Sequence, residues 1–272
     1  MGKRRMILYF GSFNPIHRGH IALAEYAIEH NLGDEVAMII SPQNPFKQSW
    51  VQAAETIRYE LVEIACRNSK YPDKILPSVI EFLLEKPSYT VNTLRHLTDN
   101  YGDKMEFSIL MGSDLINQLP RWREAEYIID NFDLLVYPRP NEPMVFSTPR
   151  TTFLHDAPQF NLSSTAIREA IERGEDSTKM LDAEVAKYIY QKGLWTTSYK
   201  IASLSSAINA EQADAEPYIE RGKCYFRQQE WGNAINDFRK ALEIDNNCKE
   251  AQQFIDMTQE ILEFRYKDIY NP

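Results

Sequence analysis

Apolar residues in the first half of the chain form five short runs, and between the runs apolar residues recur every three or four positions. Short apolar runs are typical of buried strands, and the three-and-four spacing is typical of amphipathic helices. The predicted strands are Met6–Phe10, Val36–Ser41, Ile75–Ile80, Phe107–Met111 and Leu134–Tyr137. The predicted helices are His20–His30, Glu55–Asn68, Val91–Asn100, Trp122–Asn131 and Thr165–Glu172. This alternation predicts an α/β fold, a Rossmann-like, doubly wound parallel sheet.

After Trp195 the strand pattern ends, and only helical spacing remains. The segment resembles a tetratricopeptide repeat at about residues 215–248, with a helix before it (Ile201–Ala210) and one after it (Glu250–Lys267). The positions that match the repeat are Tyr218, Gly222, Tyr225, Ala234, Phe238 and Ala241, whereas Arg221 and Asn246 replace its usual Leu and Pro. We therefore predict a first domain over residues 1–195 and a small, all-helical extension over residues 196–272.

Composition and charge exclude several classes of function. The net charge of the 272 residues is −9, and the longest basic run is Lys3-Arg4-Arg5. A chain this acidic is not expected to bind nucleic acid generally. There is no apolar stretch long enough for a membrane span, and the three cysteines lack the spacing of metal ligands. We expect a cytoplasmic protein with no membrane partner and no metal held by side chains.

The stretch after the first predicted strand carries the densest candidate chemistry, reading Gly11-Ser12-Phe13-Asn14-Pro15-Ile16-His17-Arg18-Gly19-His20. Gly11 permits a sharp turn and a close approach of backbone to ligand. The next helix offers its unpaired N–H groups to an anion. His17 and His20 are three residues apart, so we expect both imidazoles on one face, where each can donate to phosphate oxygens. The stretch predicts a phosphate-binding site.

A second stretch, Ser163-Ser164-Thr165, precedes a predicted helix that contains Arg168. Hydroxyl side chains commonly cap helix N-termini, so read alone this stretch is more often only a cap. Together with the first stretch it predicts a second phosphate-binding segment. Its hydroxyls, free N–H groups and fixed cation would bind the other side of a polyphosphate.

The two stretches match G-x-F-x-P-x-H-x-G-H and S-S-T-x-x-R, so the chain resembles the HxGH nucleotidylyltransferases. The resemblance implies transfer of a nucleotidyl group from a nucleoside triphosphate, with release of pyrophosphate. It implies that His17, His20 and Arg168 are catalytic and that Mg²⁺ accompanies ATP as the cofactor. The ATP-binding residues that it implies are Gly11, Ser12, Phe13, His17, His20, Gly112, Asp114, Ser163, Ser164, Thr165 and Arg168.

Four further segments are similar to one branch of that family, the nicotinate-nucleotide adenylyltransferases. They are Ser41-Pro42-Gln43-Asn44-Pro45-Phe46-Lys47, Ser88-Tyr89-Thr90-Val91-Asn92-Thr93-Leu94, Met111-Gly112-Ser113-Asp114 and Leu119-Pro120-Arg121-Trp122. Phe46 departs from the branch, where a histidine is common. The residues that this resemblance assigns to nicotinate mononucleotide are Ser12, Phe13, Lys47, Thr90, Trp122 and Arg123.

The expected activity is transfer of AMP from ATP to nicotinate mononucleotide, giving deamido-NAD and pyrophosphate. Two alternatives stay open: nicotinamide mononucleotide as the acceptor, and a non-catalytic nucleotide-binding scaffold that carries a protein-interaction tail. One repeat cannot bury its apolar face as an isolated array. We therefore expect the extension to pack on the first domain or on a second copy of the chain, with a separate protein partner as the remaining option.

Overall fold

The computed structural model describes residues 2–42, 53–85, 88–210 and 214–266. Its residues divide into two compact units, the first ending at Lys192 and the second beginning at Gly193. The sequence placed this division three residues later, after Trp195. None of the described helices is both long enough and apolar enough to cross a membrane.

The first unit contains a six-stranded sheet in which every paired strand is parallel. Its strands are β1 (Arg4–Gly11), β2 (Glu35–Ile40), β3 (Ile75–Ser78), β4 (Met105–Gly112), β5 (Asp133–Tyr137) and β6 (Thr151–Phe153). The strand order is β3-β2-β1-β4-β5-β6. The predicted Rossmann-like fold is confirmed.

Helices cover the sheet and continue through the second unit. In the first unit they are α1 (Arg18–Glu29), α2 (Glu55–Arg67), α3 (Ile80–Leu83), α4 (Thr90–Tyr101), α5 (Ser113–Ile116), α6 (Ala125–Asn131), α7 (Ser164–Glu172) and α8 (Ala183–Lys192). In the second unit they are α9 (Thr197–Ala210), α10 (Glu216–Arg227), α11 (Trp231–Ile244) and α12 (Lys249–Tyr266).

Two predicted boundaries were wrong, each for a local reason. The third strand stops at Ser78 because the Ser78 hydroxyl accepts from the N–H of Ile80, a turn that competes with strand pairing. Trp122 is not helical: it has extended backbone after a short 3₁₀ turn, and α6 begins only after Glu124, whose φ is 51°. The sequence also missed β6, which has only three residues.

The strand order fixes where a ligand can bind. The chain winds outward from β1 in one direction and from β4 in the other, so the crossovers leave a crevice beyond the carboxyl ends of these two strands. β1 ends at Gly11 and β4 ends at Gly112. Both predicted motifs that follow these glycines therefore begin at the topological switch point.

The second unit has a core of its own. One apolar cluster of buried side chains comes from three successive helices and contains Ile219, Ala234, Phe238, Ala241, Ala251 and Ile255. Phe238 stacks on Phe254 of α12 with ring centroids 5.0 Å apart. Within the second unit α12 covers one face of the repeat, and the expected packing of the extension on the first domain, a second copy or a protein partner stays a prediction.

A glycine sets how closely α10 and α11 pack. A Cβ on Gly222 would lie 2.7 Å from the ring of Phe238, which is fully buried. We predict that Gly222→Ala lowers the free energy of unfolding by about 1–3 kcal/mol, because the added methyl overpacks the core.

Gly232 of α11 is the matched control, since a Cβ there meets nothing within 4 Å. Gly232→Ala should be neutral or stabilising by up to about 1 kcal/mol. Urea denaturation of the full chain followed by far-ultraviolet circular dichroism measures both, and equal effects of the two substitutions would contradict the close helix contact.

Candidate active site

Two stacked imidazoles form the centre of the site at the N-terminus of α1. His17 is the N-cap residue of this helix and is buried, and His20 lies in its first turn. Their ring centroids are 3.7 Å apart with an interplanar angle of 25°. Phe13 meets the His20 ring edge-on at 5.1 Å. The predicted common face is confirmed, although His17 precedes the helix and is not part of it.

Hydrogen bonding fixes the tautomer of His20 when its ring is neutral. The backbone N–H of His17 donates to Nδ1 of His20 at 3.2 Å. Because Nδ1 acts as the acceptor, the proton of the neutral ring is on Nε2. His20 can therefore donate a hydrogen bond from Nε2 to an oxygen of a ligand.

His17 is kept neutral by its surroundings. Burial, together with the positive charge of Arg139, lowers the pKa of His17 from 6.5 to about 4. Its Nδ1 is buried and has no hydrogen-bond partner among the described residues. This side chain faces the backbone N–H of His20, the third residue of α1, which is the arrangement of a capping box.

Close contacts explain why a glycine, Gly19, lies between the two histidines. A Cβ on Gly19 would lie 3.1 Å from Nδ1 of His17 and 3.3 Å from the ring of Phe160. Any side chain at this position would press on His17 and on the wall of the cavity next to it. That cavity is lined by His17, His20, Tyr9, Gly19, Leu23, Tyr137, Pro138, Arg139, Pro140, Pro158, Phe160 and Leu162.

The second predicted motif packs directly on the first. The Ser164 hydroxyl donates to the carbonyl of Pro15 at 2.8 Å, and Arg168 donates to the carbonyl of Asn14 at 2.7 Å. Ser163 caps α7 by accepting from the N–H of Ala166 at 3.1 Å. Residues about 150 positions apart in the chain are thus brought to one turn.

Arg168 keeps its charge for a ligand. Besides the Asn14 carbonyl, its guanidinium donates to the hydroxyl of Thr165 at 3.1 Å. Both partners are neutral, so these contacts orient the guanidinium without neutralising it. A half-buried cation held in this way is suited to a phosphate group.

Asp114 follows β4 and pairs with Arg139, which was not predicted from the sequence to be a site residue. Its Oδ1 lies 3.4 Å from Nε of Arg139. A Cβ on Gly112 would lie 2.3 Å from Oδ1 of Asp114 and 3.0 Å from Cγ of Arg139, so a side chain here would displace the Asp114 carboxylate. The predicted Gly112 and Asp114 thus share one cluster with Arg139, which also lines the histidine cavity.

The residues predicted to bind nicotinate mononucleotide are more dispersed. Trp122 is half-buried, and Arg123 is exposed with its guanidinium 4.8 Å from the ring centroid of Tyr89, next to Thr90. In the part of the chain that the structure describes, the cavity lining includes neither Thr90, Trp122 nor Arg123. Lys47 lies outside the described residues.

Two tyrosines below the histidines were missed by the sequence analysis. The hydroxyls of Tyr9 in β1 and Tyr137 in β5 are 3.1 Å apart, and burial raises the pKa of each. The signal was present in the sequence, because both residues lie near the ends of predicted strands. Their side-chain direction, however, depends on the exact strand register.

Comparison with known proteins places the chain in a family. The family model described as cytidylyltransferase-like matches residues 8–170. The chain belongs to the cytidylyltransferase-like family. In this family member a tetratricopeptide repeat model also matches residues 215–248, which confirms the predicted repeat.

Relatives within the family share one name. A probable nicotinate-nucleotide adenylyltransferase of Flavobacterium psychrophilum is 40% identical over 185 residues, covering 67% of this chain and 94% of the relative. One from Bacteroides fragilis is 40% identical over 193 residues, covering 71% of this chain and 94% of the relative. The predicted membership of the nicotinate-nucleotide adenylyltransferase branch is confirmed. These matches leave about a third of this chain uncovered.

A solved structure shares the fold. It is Plasmodium falciparum nicotinic acid mononucleotide adenylyltransferase complexed with NaAD, with a TM-score of 0.61 and 18% identity. The likeness covers 71% of this chain and 97% of that chain. At this identity it supports the Rossmann-like architecture.

The buried His17 predicts a pH-dependent stability. Because its pKa is about 4 in the folded chain against 6.5 for an ordinary histidine, the unfolded chain takes up a proton first as the pH falls. The contribution of the neutral His17 to the free energy of unfolding is therefore fully present above pH 6.5 and is lost between pH 6.5 and pH 4. Between pH 7.5 and pH 5 we expect the free energy of unfolding to fall by about 2 kcal/mol more in the wild type than in His17→Asn.

Urea denaturation of both proteins at the two pH values measures this difference. The asparagine variant is the control, because it cannot titrate while all other groups remain. Parallel losses in both proteins would show that His17 is not held neutral by burial.

Proposed function

We propose that this family member is a nicotinate-nucleotide adenylyltransferase that transfers AMP from ATP to nicotinate mononucleotide. One observation carries the proposal: Ser164 and Arg168 of the second motif hydrogen-bond to the turn that holds His17 and His20. Two anion-binding helix N-termini, a guanidinium and two imidazoles are therefore concentrated at the sheet's switch point. The substrate assignment is taken from the relatives, which are named probable nicotinate-nucleotide adenylyltransferases.

In the proposed reaction a phosphate oxygen of the mononucleotide attacks the α-phosphorus of ATP in line. A new bond forms between that oxygen and the α-phosphorus, and the bond from the α-phosphorus to the bridging oxygen of pyrophosphate breaks. The attacking phosphate is already ionised near neutral pH, so no side chain has to remove a proton. Catalysis then depends on positioning and on donors directed at the phosphate oxygens.

The two imidazoles take different parts in this proposal. His20 donates from Nε2 to an oxygen on the reacting phosphate, since its Nδ1 is occupied by the His17 N–H. His17 is neutral and buried, so it supports the His20 ring by stacking. Arg168 supplies fixed positive charge for the triphosphate.

Mg²⁺ is proposed to arrive with ATP. Within the described ranges there is no group of three or more His, Cys, Asp or Glu side chains that could hold a metal ion, so the phosphate oxygens would be its main ligands. When bound, the ion would offset negative charge on the triphosphate. Lys47, Trp122 and Arg123 remain proposed contacts for the mononucleotide, and self-association or protein binding through the extension remains a prediction.

The substrate assignment is tested by pyrophosphate release from Mg²⁺-ATP with either nicotinate or nicotinamide mononucleotide, with the dinucleotide product identified. We expect strong preference for nicotinate mononucleotide. Preference for the amide would retain the reaction class and change the substrate. No turnover with either compound would favour the nucleotide-binding scaffold.

His20→Ala tests the proposed chemistry. If Nε2 of His20 stabilises the transition state as one preorganised donor, kcat should fall about 10²- to 10³-fold. His30→Ala is the matched control, because His30 is an exposed histidine that caps the opposite end of the same helix. Steady-state kinetics at saturating ATP measures both variants, and a kcat of His20→Ala near that of the wild type would rule out this role.

A further inference from the structure

Two buried charged side chains have no part in the proposed chemistry. Arg58 of α2 is 1% exposed, and Glu81 of α3 is 2% exposed. A buried charge is unfavourable unless hydrogen bonds compensate it, and an apolar side chain would fill either position more cheaply. The bonds that these two side chains make therefore indicate what they do.

The guanidinium of Arg58 donates four hydrogen bonds to backbone carbonyls. Nη1 donates to Ser12 at 2.9 Å and to Ser41 at 2.6 Å, and Nη2 donates to Pro42 at 2.7 Å. Nε donates to Ala53 at 3.1 Å. Ser12 follows β1, and Ser41 and Pro42 follow β2. One planar guanidinium thus connects the backbone beyond two neighbouring strands.

Glu81 continues this connection from the other side of Ser41. Its carboxylate accepts from the hydroxyl of Thr93 at 2.9 Å and also hydrogen-bonds with the side chain of Ser41. The N–H of Ser41 in turn donates to the carbonyl of Gly11 at 2.9 Å. Thr93 lies in the first turn of α4, the helix that begins at Thr90.

These bonds form one polar chain: Arg58, Ser41, Glu81 and Thr93. At one end it contacts the turn between Gly11 and the histidines, and at the other it contacts α4, whose first residue is Thr90. The first end is the proposed phosphate side of the site, and the second is the proposed mononucleotide side. Each carbonyl that accepts from Arg58 lies outside the sheet, so removal of Arg58 would leave the strand pairing intact.

We propose that Arg58 and Glu81 are positioning residues that hold the phosphate-binding turn and the start of α4 at a fixed separation. The inference rests on the proposed function, because it assigns the two ends to two substrates that must meet in line. Neither residue has to touch a substrate. An error of about 1 Å in the placement of reacting groups can lower the rate about 100-fold. A buried connection that keeps the two binding segments in place therefore supports the rate.

Arg58→Lys is the first test. A lysine keeps the charge, but its three N–H donors are on one nitrogen, so it cannot reach all four carbonyls that the three guanidinium nitrogens of Arg58 contact. We expect kcat/KM for the mononucleotide to fall about 10- to 100-fold. We also expect faster hydrogen exchange at the Ser41 amide in the protein without substrates.

Leu61→Ala is the matched control for lost stability. Leu61 is fully buried on the same helix, one turn from Arg58, and it makes no bond to either loop. This variant should unfold more easily but keep the wild-type kcat/KM and the slow exchange at Ser41. An Arg58→Lys protein that is folded and matches Leu61→Ala in both readouts would overturn the proposal.

Thr93 provides a second pair of variants in case Arg58→Lys does not fold. Thr93→Val removes the donor to Glu81 without changing the shape of the side chain, whereas Thr93→Ser retains the hydroxyl. We expect kcat/KM to fall in the valine variant and to be largely restored in the serine variant, and equal kinetics in the two would overturn the proposal. The exchange measurement needs no turnover, so it decides the positioning role even if the wild type fails to use nicotinate mononucleotide.

Discussion

The site depends on one constraint of parallel sheets. The carboxyl ends of all the strands lie at the same edge, and the backbone groups beyond them have no neighbouring strand to pair with. At the switch point between β1 and β4 these groups need partners, because buried N–H and carbonyl groups are costly when unpaired. Arg58, Ser164 and Arg168 bond to the carbonyls of Ser12, Pro15 and Asn14 respectively. These bonds satisfy three carbonyls that face the crevice, and they hold two guanidinium groups beside the turn. Fixed positive charge and N–H donors at this edge are what the proposed phosphate binding requires.

Electrostatics at this edge follow from the same arrangement. Burial beside Arg139 keeps His17 neutral, so the positive charge is carried by the arginines and not by the imidazole that packs deepest. A neutral His17 can stack at 3.7 Å on His20 without the repulsion that two imidazolium rings would suffer. Arg139 itself is restrained by Asp114, whereas Arg168 is oriented by the Asn14 carbonyl and the Thr165 hydroxyl. The charges nearest the histidines are therefore fixed in place before a nucleotide binds.

The sequence predicted much of this, for reasons that can be traced to particular residues. Five strands were found because their apolar runs are long enough to stand out, and both phosphate motifs were found because their residues are contiguous in the chain. Arg58 could not be found, because a charged residue within an amphipathic helix is normally solvated, and only the fold shows that Arg58 and Glu81 are buried. Arg139 was not selected as a site residue, because its pairing with Asp114 depends on the alignment of β4 with β5.

The extension shows how a departure from a sequence pattern can have a structural use. Arg221 stands where the repeat usually has Leu, which weakens the match when the sequence is read alone. In the folded chain its guanidinium makes a bidentate pair with the buried carboxylate of Asp237 at 2.8 and 2.7 Å, and it also donates to the hydroxyl of Ser205 in α9 at 2.8 Å. A leucine would pack α10 against α11 but could not bond to both neighbouring helices. Since one repeat is too small to be stable alone, a side chain that joins it to the helix before it supplies what a second repeat would otherwise provide.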